Sequence, residues 1–173
     1  MAIYTLKQII NIIDTINEKL GKAASWCTFL LVLLVCFDVI LRYFFQWSQV
    51  WMMEIELYLF ATIFLIGSAY AFQKDQHVRV DVFYSRMSEK NQARVNLVGG
   101  LLFLLPWTII MIYIGQRYFV KSWMIGESSS QPDGLPALYI KKGLLVLAFV
   151  FLFLQGLSSV LKSILKLQNP TAS

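Results

Sequence analysis

Along the first twenty positions apolar residues recur at helical spacing, at Ile3, Leu6, Ile9, Ile10, Ile13, Ile16 and Leu20, while Lys7, Asn11, Asp14, Glu18 and Lys19 occupy other faces. An apolar stripe beside a charged face predicts an amphipathic helix over 3–20 that lies in the membrane interface. Beyond it come stretches that are apolar all round, at about 23–43, 50–72, 95–115 and 140–161. Each has about the 20 residues that a helix needs to cross ~30 Å of hydrocarbon. The expected fold is an all-α membrane protein with four transmembrane helices behind an N-terminal interfacial helix. The first two spans are linked around Gln46, Ser48 and Gln49, a loop short enough to make them antiparallel neighbours. Pro106, near the middle of the third span, predicts a kink. The polar stretch from Gln73 to Arg94 carries a short surface helix over 85–94, and the longest connection, Tyr118 to Tyr139, is rich in Ser, Gly and Pro. No internal repeat is visible, so the chain reads as one membrane domain over 1–173.

Composition strengthens the membrane reading. Of the residues 58% are hydrophobic and 14% charged, where soluble domains carry about 25% charged residues, and the mean hydropathy is +0.63. The net charge of +5 does not indicate a nucleic-acid partner, because the basic residues are scattered between apolar runs. Their distribution gives an orientation instead. Lys7, Lys19, Lys22, Lys74, Arg79, Arg86, Lys90, Arg94, Lys162 and Lys166 fall on one side of the spans, against Arg42, Arg117, Lys121, Lys141 and Lys142 on the other. The positive-inside rule then puts both termini in the cytoplasm. Trp47, Trp51 and Trp123 lie near the outer interface and Trp26 near the inner one, where indoles anchor a chain among membrane lipids. Cys27 and Cys36 are nine residues apart and form no CxxC pair, so both read as packing residues. No small-residue cleavage site follows the first apolar run, which is expected to be retained.

A charge at bilayer depth costs about 2.5–3.5 kcal/mol on insertion scales, so each one calls for a partner. Asp38 and Arg42, at i and i+4, share a helix face and can neutralise each other. Glu54 and Glu56 open the second span on the same side, and the short loop brings Glu54 near enough to compete for Arg42. These four residues read as a polar cluster that fixes helix pairing or faces a partner chain. The rival reading, an ion or proton site, lacks a deeper ionisable step in any span. His77, Arg79 and Asp81 follow the second span on the cytoplasmic side, where Arg79 and Asp81 can pair and His77 can cap or snorkel. A single histidine cannot supply both axial ligands of a membrane b-type haem. There is no Gly-rich phosphate loop, HExxH, G-x-S-x-G or zinc-spaced Cys/His cluster, so no catalysis, metal or cofactor is expected of this chain.

Several of these segments, in this order, resemble one known family. Asp38-Val-Ile-Leu-Arg42-Tyr43 is similar to its D-V-x-x-R-Y, and Trp51-Met-Met-Glu54 to its W-x-x-E, followed by Gly67-Ser-Ala-Tyr-Ala71. His77-Val-Arg-Val-Asp81 resembles its H-[IV]-R-V-D, the most specific element. Glu127-Ser128-Ser129, Leu135-Pro136, Gly143 and Leu154-Gln155-Gly156 complete the pattern. The resemblance, from about Leu33 to Leu161, is to the small membrane subunit, DctQ type, of tripartite ATP-independent periplasmic (TRAP) transporters. The chain departs from the common pattern at Met53, where many members have an acid adjacent to the next, and at Lys142, where a proline usually precedes the glycine. The second-span wording is nearer to members serving organic monocarboxylates than to the sialic-acid type.

The resemblance implies a bacterial inner-membrane subunit with two partners. A periplasmic binding protein captures an organic anion, and a large DctM-type membrane subunit moves it inward with sodium ions, which bind on the large subunit. The small subunit then acts as a scaffold. Asp38, Arg42, Glu54 and Glu56 are expected at the subunit interface, and the outer loops, with Gln46, Ser48, Gln49, Glu127, Ser128 and Ser129, at the docking surface for the binding protein. The rival from another class is a self-contained proton-coupled exporter acting as a homodimer, with Asp38 as its essential carboxylate.

Overall fold

The computed structural model describes residues 2–75 and 84–168. Four long helices dominate: α1 (Ala2–Phe44), α2 (Val50–Gln73), α3 (Glu89–Met124) and α4 (Tyr139–Gln168). All four are long and apolar enough to cross a membrane.

The predicted interfacial helix and first span are not separate elements. Residues 2–44 form one unbroken helix of 43 residues, about 65 Å long at 1.5 Å per residue. Only Gly21 interrupts the helix-forming run, and a glycine costs a helix about 1 kcal/mol where a proline costs about 3. Gly21 is also used. It is buried, and a Cβ there would overlap the ring of Tyr70 on α2. It belongs to a buried stripe of Ile10, Ile13, Asn17, Gly21 and Ala24 that runs along the N-terminal half of α1. That spacing follows one helix face, so this half packs within the protein along its length.

Helix α3 also outlasts its expected span. The polar run expected to make a surface helix over 85–94 supplies its first turns instead, beginning at Glu89 after the N-cap position Ser88. Pro106 is accommodated by a change of helix type. Residues Gly100–Leu104 form a π-helical turn, and the Leu105 N–H donates to the Gly100 carbonyl, five residues back. A proline lacks the N–H of an α-helical ladder and crowds the carbonyl four residues before it, and a wider turn just ahead of it relieves both. Thr108, fully buried, donates its hydroxyl to the carbonyls of Leu104 and Leu105, both at 2.9 Å.

Helix α4 is central and packs against the other three, whereas α3 packs mainly on α4. Small residues allow the approach. A Cβ at Gly100 would lie 2.6 Å from Val160, and one at Gly156 would lie 2.9 Å from Leu104. Because α3 leans on one helix only, an open apolar groove of about 920 Å³ runs beside the π turn, with Phe72, Phe103, Trp107 and Ile110 among its walls.

The distribution of side chains is that of a protein dissolved in lipid. Phe64 and Phe103 are 70% and 73% exposed, while the largest fully buried side chains are Gln155, Asn17, Thr108, Ser122 and Ser158. Hydrocarbon gives apolar groups no reason to hide, and polar groups every reason to find one another.

The close α1–α2 approach is testable. Gly21→Val forces the two helices apart and lowers stability by about 1–3 kcal/mol, the usual cost of overpacking. Gly67→Ala, where a Cβ meets nothing within 4 Å, stabilises by up to about 1 kcal/mol. Thermal melts of the purified chain in one detergent read both.

Candidate functional site

At the end of the bundle away from the termini, four ionisable groups come from α1 and α2. Asp38, 4% exposed, forms an ion pair with Arg42 one turn later. The Asp38 carboxylate is thereby neutralised within its own helix, and the half-exposed guanidinium reaches outward. Glu56 on α2 lies within electrostatic reach of both. Glu54 does something else. Its Oε2 accepts the Leu135 N–H at 2.6 Å, and its Oε1 accepts the Ser129 hydroxyl. The expected competition for Arg42 does not occur, for a geometric reason: residues two apart on a helix project about 200° apart, so only one of the two acids can face α1. Glu56 takes that side, and Glu54 faces the α3–α4 connection.

That connection, residues 125–138, is tightly organised. Helix α3 ends in a Schellman motif: Gly126, at φ +58°, donates to the Trp123 carbonyl at 3.1 Å, and Glu127 donates to the Ser122 carbonyl at 3.0 Å. Glycine takes the left-handed conformation this motif requires without a Cβ penalty. The Glu127 carboxylate then pairs with Lys142 on α4 and accepts the Ser122 hydroxyl. Backbone bonds from Ser129 N–H to Leu135 O, 3.1 Å, and from Leu138 N–H to Glu127 O, 2.8 Å, close the loop on itself. Ala137 stands at φ +76°, a conformation that disfavours a residue with a Cβ. The Tyr58 hydroxyl donates to its carbonyl at 3.1 Å. Glu54 and Tyr58, at i and i+4, therefore form a clamp on one face of α2 that grips the loop from 129 to 137.

A second polar centre lies nearer the termini and joins three helices. Asp14 Oδ1 on α1 accepts from Gln155 Nε2 at 3.0 Å and from Ser158 Oγ at 2.9 Å, both on α4. Its Oδ2 pairs with Lys162 at 2.6 Å. Asn17 Nδ2 donates to Gln155 Oε1 at 2.6 Å, and Gln73 Nε2 on α2 donates to the Asp14 carbonyl at 2.9 Å. Asn17, Gln155 and Ser158 are each at most 2% exposed. The sequence reading assigned Asp14 to the polar face of an interfacial helix and missed this network. A signal was present: Gln155, Ser158 and Lys162 stand at i, i+3 and i+7, one polar stripe along a span otherwise apolar.

Two comparisons with known proteins bear on what this arrangement is. Residues 31–166 match the model of the DctQ component of tripartite ATP-independent periplasmic transporters. A TRAP transporter small permease protein of Haemophilus influenzae is 32% identical over 120 residues, which covers 69% of this chain and 74% of that protein. The chain belongs to the DctQ family. It is a small TRAP transporter subunit, a multi-pass protein of the inner membrane and not an enzyme.

The matched region includes every outer-end residue just described. Of the residues expected at docking loops, Gln46, Ser48 and Ser128 are exposed, and Gln49 is half-buried. Glu127 and Ser129 are half-buried, Glu127 bonded within the DctQ loop region and Ser129 to Glu54. Gln46 sits at φ +50° in a tight turn closed by bonds from Phe45 and Trp47 N–H to the Leu41 carbonyl. Trp26, Trp47 and Trp123 are exposed and Trp51 half-buried. His77, Arg79 and Asp81 lie outside the described residues. Lys142, which replaces the family's usual proline, is the cation paired with Glu127, and its ammonium also lies 3.9 Å from the centroid of the Tyr118 ring.

Loss of the Glu54 clamp exposes the loop. In Glu54→Ala the Leu135 N–H and Ser129 hydroxyl lose their acceptor, at a cost of about 1–3 kcal/mol, and limited proteolysis of proteoliposomes cuts within 128–136 at least several-fold faster than in wild type. The loop is also acid-sensitive. The Lys142 ammonium and the Ser122 hydroxyl hold the Glu127 carboxyl below the ordinary glutamate range. A depressed carboxyl contributes stability above its unfolded-state pKa and loses it as pH falls through the folded one. Amide hydrogen exchange at 126–138 therefore accelerates, beyond its intrinsic pH dependence, as pH drops below that range, and Glu127→Gln removes this component.

Proposed function

We propose that this chain is the fixed scaffold of a sodium-coupled importer of an organic carboxylate. In this reading a periplasmic binding protein delivers the anion, a large DctM-type subunit carries the substrate and sodium sites, and the DctQ chain braces that subunit in the membrane with both termini in the cytoplasm. The observation that carries it is the use of polar groups inside the bundle. Asp14, Asn17, Gln155, Ser158 and Lys162 bond to one another between helices, and Asp38 bonds to Arg42. Groups engaged in this way are not free to take up and release an ion, and Glu56, whose Oε1 has no hydrogen-bond partner among the described residues, stands near the outer end of α2 with no acidic or basic residue deeper in that helix. A transport site would instead be expected at interrupted helices whose ends converge near mid-membrane, whereas here α1 runs unbroken and the single irregular turn of α3 keeps its helical bonding. The Asp38–Arg42 pair also counts against the exporter reading, in which Asp38 would exchange protons.

The outer face supports a second part of the proposal. The loop between α3 and α4 is held rigid by Glu54, Tyr58 and Lys142, and presents Ser128, Ser130, Gln131 and Asp133 outward. A preorganised polar surface loses little entropy when a protein docks on it, which suits it to transient engagement by the binding protein.

A mild-detergent pull-down of the tagged chain from its native membrane tests the scaffold reading. A multi-span protein several times larger is expected in near-equal amount. Recovery of the chain alone or as a homodimer, with proton-coupled efflux after reconstitution, overturns it.

A further inference from the structure

Glu56 is an acid of the bundle to which no described residue bonds; Asp38 and Arg42 act on it through space alone, with opposite signs. No hydrogen bond among the described residues reaches either of its oxygens, and Oε1 is sealed from solvent. Two other buried oxygens lack donors, Asn17 Oδ1 and Gln73 Oε1, but they belong to neutral amides already bonded through nitrogen. The setting of Glu56 is different. It lies six residues from the start of α2, and Asp38 six from the end of α1, so both stand about 9 Å in from their helix ends. Asp38 and Arg42 cancel as a pair, and Glu54 is held by the Ser129 hydroxyl and the Leu135 N–H, which leaves Glu56 as the acid of the four without a bonded partner. An unpaired carboxylate at this depth is costly.

The surface around it is unoccupied in the isolated chain. Met53 and Phe60, at i−3 and i+4 from Glu56, share its helix face and are 49% and 60% exposed. A half-buried carboxylate flanked by exposed apolar side chains resembles a binding hot spot, in which apolar neighbours exclude water from a central polar pair.

We infer that the α2 face of Met53, Glu56 and Phe60, beside the Asp38–Arg42 pair of α1, receives a transmembrane helix of the large subunit that presents a lysine or arginine to Glu56. This rests on the scaffold reading and adds to it a place and a charge. Charge complementarity identifies the occupant: a lipid-facing surface would not retain an unanswered acid, a second copy of this chain would offer from this face an Arg42 already paired with Asp38, and a cationic helix removes the imbalance.

The test is co-purification of the untagged large subunit with tagged wild type, Glu56→Gln and Glu56→Lys, with the melting temperature of each small subunit purified alone. Glu56→Gln keeps the side chain's shape and removes its charge. It is expected to leave the isolated subunit as stable as wild type or more so, and to cut recovery of the large subunit at least tenfold, because the partner's cation is left buried without its counter-charge. Glu56→Lys is expected to abolish recovery. If wild type and Glu56→Gln recover the large subunit equally, this inference fails and the scaffold reading stands. If wild type recovers none, both fail.

Discussion

Asp14 and Lys162, 148 residues apart in sequence, meet in a setting where neither could be left alone. Bilayer lipid removes the hydrophobic force that would press helices together in water, because a leucine is as comfortable against an acyl chain as against another leucine. What remains is the penalty on an unsatisfied polar group, together with close packing where small residues permit it. The network of Asp14, Asn17, Gln73, Gln155, Ser158 and Lys162 uses the first to tie α1 to the central helix α4 and α2 to α1. Gly21, Gly100 and Gly156 use the second, each where a neighbouring side chain fills the space of a Cβ. The two devices are complementary. Glycines bring backbones close enough for short polar side chains to reach across, and the polar bonds fix which faces approach.

The spans were legible in the sequence because a helix that faces lipid must be apolar all round over a fixed length, and nothing else in the chain mimics that. Val50–Gln73 and the turn before it follow directly from this rule. What lay between apolar runs was harder to read. Residues 3–20 have the periodicity of a surface-seeking helix, and periodicity alone cannot say whether the polar stripe meets water or a second polar stripe. Here Asp14 and Asn17 meet Gln155 and Ser158, and the partner stripe lies 138 or more residues downstream in an otherwise greasy segment. The proline was visible but its effect was not, since Pro106 dictates only that the regular ladder must yield. It yields as a π turn that begins at Gly100, where the backbone lies close to Val160.

At the outer end the residue types were readable and their pairing was not. Asp38 and Arg42 pair because i and i+4 share a face, a relation internal to one helix and therefore local. Glu54 depended on a loop more than 70 residues away whose conformation no periodicity reports. The Glu-Ser-Ser and Leu-Pro segments of the family pattern acquire a physical meaning once that loop is seen. Ser129 donates to Glu54, Glu127 binds Lys142, and the stretch ending at Leu135 supplies an N–H to the same Glu54 carboxylate. Lys142, a departure from the pattern, takes over a structural duty. The lysine ties the start of α4 to the loop by charge.

The spacing of Glu54 and Glu56 links the two halves of the outer end. Two acids at i and i+2 cannot share a surface, so a helix that carries both addresses two different neighbours from one turn. Glu54 holds the loop on one side, and Glu56, with Met53 and Phe60, opens on the other. The segment between them is a single rigid turn. A displacement of α2 by whatever lies against Glu56 would therefore be passed to the Glu54 clamp with little loss, because the i→i−4 hydrogen bonds of a helical turn hold its φ and ψ torsions. On the scaffold proposal, with a binding protein docking outside the membrane and a separate subunit moving substrate within it, this is a short mechanical route between the two surfaces. It needs no group to change its protonation, only a helix stiff enough to keep its two faces in register.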